Sequence, residues 1–354
     1  MTLTRRRLLA HTLAASALPA ALAAQAEGAA SAKTLRILVG FPPGGGTDAI
    51  GRLLAEKLRE QLGMTVVVEN RPGAGGQIAA LALKSAPADG SVLFLTHDHT
   101  ISILPQVVRN AGFEPARDFV AAGGFATFVN GLAVSPGTPA KTFPEFVDWV
   151  KRKQGGKSAI GIPAPASTPE FLVKLLGQRY GLDLVSAPYR GSAPMIGDML
   201  GNQIPAGIAS VQDFIENHRA GKLRMLAVLG GKRQDALPDV PTFDELGLKG
   251  FEDTPYYGFY APAGTPEAQL TRFSQALAQV VAQPAVREQL VNMGLTVGFM
   301  TPAQLAERER AYTAVWTRII RDSGFTPQYE RVYDLCALGR GCGSGGAARR
   351  KPQR

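Results

Sequence analysis

Residues 35–49, LRILVGFPPGGGTDA, constrain the fold more than any other stretch of this 354-residue chain. Leu35, Ile37, Leu38 and Val39 form a short apolar run of strand type, and two prolines and three glycines then break it. Thr47 and Asp48 are good N-cap residues, and Ile50, Leu53, Leu54 and Leu58 recur at helical spacing. Glycines without Cβ let a ligand approach the backbone, and free N–H groups at a helix start favour an anion. Such a unit suits a protein that catches a small acid better than one that processes a polymer.

The two ends carry most of the charge. Residues 1–26 read as an export signal: Arg5, Arg6 and Arg7 precede an apolar run from Leu8 to Ala24, and small-residue cleavage sites lie at 24–26 and 30–32. Adjacent arginines before a modest apolar stretch fit the twin-arginine route, with a general secretory signal as the plainer alternative. A periplasmic location is expected. Of the net charge of +9, residues 1–32 hold +2 and residues 326–354 hold +4, which leaves +3 for the middle. No basic, aromatic-interleaved stripe occurs there, so no nucleic-acid partner is expected. The tail 326–354 is rich in Gly, Ala and Arg without periodicity and is expected to be disordered. It holds the only cysteines, Cys336 and Cys342, too few to build a zinc site.

Between the ends, short β-like runs alternate with helical patterns, the signature of an α/β fold. Strands are expected at 65–69, 92–96, 132–135, 158–162, 184–187, 204–209 and 225–229. Helices are expected at 49–61, 143–153, 169–180, 193–200, 267–282, 284–293 and 302–323. Residues 128–136 and 223–230 read as hinge strands that cross between lobes. Lobe 1 is then discontinuous, 33–127 plus 228–325, and lobe 2 spans 128–227. Loops from both lobes would line a cleft, the usual place for a small ligand.

Four strand-end loops are candidates for the site. The first offers Gly44, Gly45, Gly46, Thr47 and Asp48. Glu69–Gly76 is a second glycine-rich loop, which either meets the first across the cleft or merely reverses the chain. IPAPASTPE at 162–170 brings Ala166, Ser167 and Thr168 to a helix start, as the second lobe's half of an anion clamp. PYRGS at 188–192 adds Tyr189, Arg190 and the cap hydroxyl of Ser192. His97 and His99 supply two metal ligands where a closed zinc site needs four, so a ligand-facing or structural loop is expected there. The aromatic run 256–260 reads as core and cleft-wall packing. No G-x-S-x-G, Walker lysine or H-E-x-x-H is present. Gly44-x-Gly46-x-x-Ala49, with Glu69 on the next strand, mimics a dinucleotide fingerprint, but Pro42-Pro43 lengthens a turn that such a site keeps tight.

Taken together, FPPGGGTD (41–48), VVVENRPGAGG (66–76), APADG (86–90), APYRGSAP (187–194), AGKLR (220–224), LPDVPTFDELG (237–247) and FYAPAGTP (259–266) resemble one family. It is that of the Bug-type periplasmic solute receptors of tripartite tricarboxylate transporters, and the likeness runs from about Leu35 to Phe325. The resemblance implies a two-lobed, type II-like periplasmic binding protein, with a ligand cleft between lobes joined by two hinge strands. It implies a small carboxylate as ligand, permease subunits in the membrane as partners, a monomer, no cofactor and no catalysis. Its clamps map onto Gly44–Asp48 and Ala166–Thr168, with Tyr189 closing over the ligand and Ser210 beside it. Where many members carry an Asp-Ser pair, this chain has Ala209-Ser210. Two alternatives remain: an exported NAD(P)-dependent oxidoreductase using Gly44–Ala49, and a carboxylate sensor subunit.

Overall fold

The computed structural model describes residues 34–249, 254–322 and 325, so the expected export signal and basic tail lie outside the described residues. In chain order the first strands are β1 (Thr34–Val39), β2 (Thr65–Asn70), β3 (Val92–His97) and β4 (Phe119–Thr127). Then come β5 (Asn130–Val134), β6 (Lys157–Ile162), β7 (Asp183–Pro188), β8 (Ala206–Ser210) and β9 (Arg224–Val228). The last two are β10 (Tyr256–Pro262) and β11 (Thr296–Met300). The helices of the first half are α1 (Gly46–Leu62), α2 (Gln77–Lys84), α3 (Leu104–Val107), α4 (Pro115–Asp118), α5 (Phe143–Lys153) and α6 (Thr168–Tyr180). Those of the second half are α7 (Ser192–Leu200), α8 (Val211–Arg219), α9 (Glu267–Ala282), α10 (Pro284–Asn292) and α11 (Pro302–Asp322).

The strands form two sheets and the molecule two lobes. The first sheet runs β11-β4-β10-β3-β1-β2 and the second β7-β6-β8-β5-β9. In the first, β2, β1 and β3 are parallel, as strand–helix alternation predicts, whereas β10 runs antiparallel to both β3 and β4. In the second, β7, β6 and β8 are parallel, and β5 is antiparallel to β8 and β9. The chain passes from the first sheet to the second between Thr127 and Asn130, and it leaves the second after Val228.

Local sequence explains each helix that frames the cleft. α1 stops at Gly63, which adopts φ 63° and returns its N–H to the Arg59 carbonyl. α5 starts at Thr142, whose hydroxyl accepts the Glu145 N–H, while the Glu145 carboxylate accepts the Lys141 N–H. Lys151, Arg152 and Lys153 then complement the dipole of its last turn. Ile37, Leu54, Phe259 and Phe273 fill one face of the first sheet; Leu38, Phe94, Tyr260 and Trp316 fill the other. The second lobe packs around Phe146, Met195, Phe214 and Phe243.

Three strands (β4, β10 and β11) and four helices (α2, α3, α4 and α8) escape the sequence patterns, two of the strands for an identifiable reason. β10 is buried at all seven positions and β4 at seven of nine, so neither shows a period of two. Glycine also interrupts both strands, because α11 lies against them. A Cβ on Gly258 would stand 2.6 Å from Leu305 Cδ2 of α11, and one on Gly124 3.3 Å from Leu305 Cδ1. α11 reaches the other lobe too: Trp316 packs on Phe171 of α6 with ring centroids 5.3 Å apart. Phe94 is fully buried in β3. Phe94→Ala is expected to lower the unfolding free energy by about 3–5 kcal/mol, read by chemical denaturation.

Candidate ligand-binding site

Loops at the carboxyl ends of β1, β3, β6, β7 and β8 converge between the lobes, where ligands of open α/β sheets sit. They enclose an inner pocket of about 50 Å³. The first lobe contributes Gly45–Thr47 at the start of α1, His97–His99 beyond β3, and Tyr257 on β10. The second contributes Ser167 and Thr168 at the start of α6, Ser192 at the start of α7, and Ser210 and Asp213 at the start of α8. Four helix N-termini and a set of hydroxyls therefore face one small space, an arrangement that favours an anionic group.

One carboxylate in that space belongs to the chain itself. Asp213 Oδ1 accepts the Gly46 N–H at 2.9 Å across the cleft and the Ser192 hydroxyl at 2.6 Å. The Ser210 backbone also bonds to this carboxylate, so Asp213 makes one half of a capping box at the N-cap of its own helix. Burial pushes its carboxyl above the ordinary range, while Ser192, Gly46 and nearby His97 pull it down. A second link between lobes runs through Tyr257, whose hydroxyl accepts from Gln212 Nε2 at 2.7 Å and shares a hydrogen bond with Thr47 Oγ1 at 3.1 Å. Such approach needs glycine. A Cβ on Gly46 would lie 2.6 Å from Gln212 Cγ and 2.8 Å from Asp213 Oδ1, and one on Gly191 2.5 Å from Pro42 Cδ.

The two histidines differ in surroundings. His97 stacks on Phe41 with centroids 4.9 Å apart, meets Phe128 and Tyr257 edge-on, and brings Nδ1 to 3.3 Å from Asp98 Oδ1. His99 is 5% exposed, and its Nδ1 has no hydrogen-bond partner among the described residues. Burial, aided by His97, lowers its pKa to about 4, so the imidazole is neutral at physiological pH.

The residues expected at the site divide into three groups. Gly45, Gly46, Thr47, Ser167, Thr168 and Ser210 line the inner pocket. Gly44 and Asp48 do not: the Gly44 N–H donates to Asp48 Oδ2 at 3.0 Å, and Asp48 also accepts from Arg52 and Asn70. Burial alone would raise the Asp48 carboxyl, but those bonds outweigh it and hold it below its usual value. That arrangement corrects the reading of Gly44 as a free amide donor. Ala166 and Tyr189 line a larger outer chamber of about 630 Å³. Ala166 adopts φ 50° and gives its N–H to the Glu170 carboxylate, while Tyr189 donates its hydroxyl to Asp198 Oδ2 at 2.7 Å. Burial and Asp198 push that phenol up to about 12. Tyr189, expected to close on the ligand, walls the outer chamber and not the inner pocket. The second glycine loop does border the cleft, with Gly73–Gly75 opposite Pro163 and Pro165.

Sequence reasoning missed Asp213 and the helix that bears it. Ser210-x-x-Asp213 is a capping-box spacing, and it was the signal available. Phe41, Phe128 and Asn130 also line the inner pocket, though none was singled out as a site residue.

A family model described as the tripartite tricarboxylate transporter family receptor matches residues 50–325. The chain belongs to this receptor family. Protein BugT of Bordetella pertussis is 30% identical over 298 residues, which span 83% of this chain and 90% of that protein. The structure of periplasmic binding protein BugD is 29% identical, with a TM-score of 0.78 over 83% of this chain and 99% of the other. The structure of R. palustris Rpa4515 with adipate is 28% identical, with a TM-score of 0.79 over 84% of this chain and all of the other. The family and these neighbours are solute-binding receptors, and no described helix is long and apolar enough to cross a membrane.

Gly46→Val is expected to wedge this receptor's lobes apart without unfolding either. Small-angle scattering should show a larger radius of gyration, with circular dichroism unchanged.

Proposed function

We propose that this chain is the exported receptor of a tripartite tricarboxylate-type transporter, that it captures a small carboxylate, and that it performs no reaction on it. The observation that carries the reading is the convergence of the N-termini of α1, α6 and α7 on one pocket between the lobes. Adipate in the Rpa4515 structure supports the ligand class. The cargo carboxylate meets Ser167 and Thr168 at the start of α6, with the Thr47, Ser192 and Ser210 hydroxyls around it. Gly45 and Gly46 form a floor that has no side chain of its own, with Asp213 and Ser192 beside it. Closure removes the carboxylate from water, so these donors must offset its lost hydration. The closed form is then the one that permease subunits recognise.

The same reading places the mature protein in the periplasm, delivered by the twin-arginine-type signal at 1–26. It takes residues 33–127 plus 228–325 as one lobe and 128–227 as the other, and the receptor as a monomer. The dinucleotide alternative loses support, because the Gly46 amide that would cradle a pyrophosphate already faces the Asp213 carboxylate.

Thermal-shift titration with carboxylic acids and with NAD(P) tests the reading. A shift with an acid and none with dinucleotides is expected; a shift with dinucleotides alone would overturn it. Gly45→Val adds a branched side chain where a Cβ already lies 3.2 Å from Ser192 Oγ. It is expected to cost the bound acid one charge-assisted hydrogen bond, roughly ten- to hundredfold in Kd by calorimetry.

A further inference from the structure

We propose that residues 326–334, TPQYERVYD, dock on the second lobe as an added strand at the free edge of β7 and strap that lobe to α11. The segment lies past residue 325, where the match to the receptor family ends. Its docking needs no ligand in the cleft.

The edge of β7 is open and unguarded. Among the described residues β7 pairs with β6 alone, at the end of its sheet. The Asp183 and Tyr189 N–H groups donate to the Gly156 and Ile162 carbonyls, on the β6 side. The strand period of two then turns the N–H and C=O groups of Leu184 and Ser186 outward, to the free edge. Such an edge invites a further strand unless charge, proline or a bulge blocks it. β2, at the edge of the first sheet, carries Glu69 clasped by Arg36 and Arg71. From Leu184 to Ala187, β7 has no charged residue, and Val185 is 58% exposed there.

The position of Phe325 names the occupant. A groove of about 250 Å³ runs beside this edge between α6 and β7, and Phe325 lies in its wall. Phe325 packs on Phe171, in the first turn of α6, with ring centroids 5.8 Å apart. The chain beyond α11 therefore arrives at the cleft end of the groove, and residue 326 starts there. From that end, a strand laid on β7 runs antiparallel to it. At roughly 3.3 Å per residue the segment reaches about 30 Å, enough to cover the ~20 Å of β7. Its pattern suits both faces, because Tyr329, Arg331 and Tyr333 alternate with Glu330, Val332 and Asp334. The first set turns to the groove, where Leu184 and Ser186 stand with Glu170 and Asp183. The second brings Val332 to the side of Val185. Pro327 falls at the strand start, where a missing N–H is tolerated. α11 itself packs in the first lobe through Leu305 and Tyr312, so the docked segment spans both lobes and resists their opening.

Hydrogen exchange resolved to single amides, on the mature protein with its full C-terminal segment, provides the test. Ending the chain after Phe325 is expected to speed exchange at Leu184 and Ser186 at least tenfold. Val185 and Ala187, whose amides face β6, are expected to stay protected, as is β2 at the other sheet's edge. Tyr329→Asp combined with Tyr333→Asp, in the full-length chain, is expected to release the same two amides at an unchanged circular dichroism spectrum. Equal exchange at Leu184 and Ser186 with and without the segment overturns the proposal. So does exchange of residues 326–334 at the rate of an unstructured chain. Protection of β7 that grows with protein concentration assigns the edge to a second copy and overturns it as well.

Discussion

The hydrogen bond from the Gly46 amide to the Asp213 carboxylate is the contact on which the rest of the site depends. It joins the N-terminus of a first-lobe helix to an acid on a second-lobe helix, and it crosses the cleft to do so. A helix start with unsatisfied N–H groups attracts an anion, and here the chain supplies one from its own opposite wall. The lobes are thereby held close enough for Gln212 to reach Tyr257 and for Pro42 to press on Gly191. The pocket between them is shaped by that contact. Asp213 does for the empty cleft part of what a bound acid would do, bringing negative charge to both walls at once. A charge that closes a cleft also decides what enters it, because the next group to arrive meets a carboxylate rather than a bare amide.

Packing supports this arrangement from behind. Tyr257 sits on a strand buried at every position, braced by Phe125 and Phe128, so its hydroxyl is presented to Thr47 and Gln212 from a rigid base. His97 is held on four sides by Phe41, Phe128, Tyr257 and Asp98. Side chains locked by aromatic neighbours keep their geometry when a ligand comes and goes. The loops that carry Gly44 and Ala166 are braced differently, each by a carboxylate four residues on that accepts the loop's own N–H. In both loops the backbone that looked available for a ligand stiffens the turn instead.

Much of the fold was legible because local signals agreed. The helix patterns at 143–153 and 267–282 match α5 and α9, and seven of the expected strands fall on observed ones. Caps at Thr142 and Gly63 and apolar spacing in α1 all point the same way. What remained hidden has physical reasons. β4 and β10 are buried on both faces and interrupted by glycine, so they lack alternation. α8 is short, and its sequence VQDFIENHR offers only four buried positions. At the site, hydroxyls next to helix starts could be read from sequence, since Ser167, Thr168 and Thr47 follow strand–turn patterns. Asp213 could not be placed the same way. Its importance comes from the crossing of two helices 167 residues apart in the chain, and no local pattern encodes that meeting.

The contact between Phe171 and Trp316 lies between lobes and outside the binding pocket. Trp316 is one of only two tryptophans, and Trp149, the other, packs on Phe146 within the second lobe. Any swing of the lobes changes the surroundings of the first indole and leaves those of the second nearly constant. The molecule thus contains its own optical gauge of opening, with an internal standard, and its motion can be followed without attaching a dye.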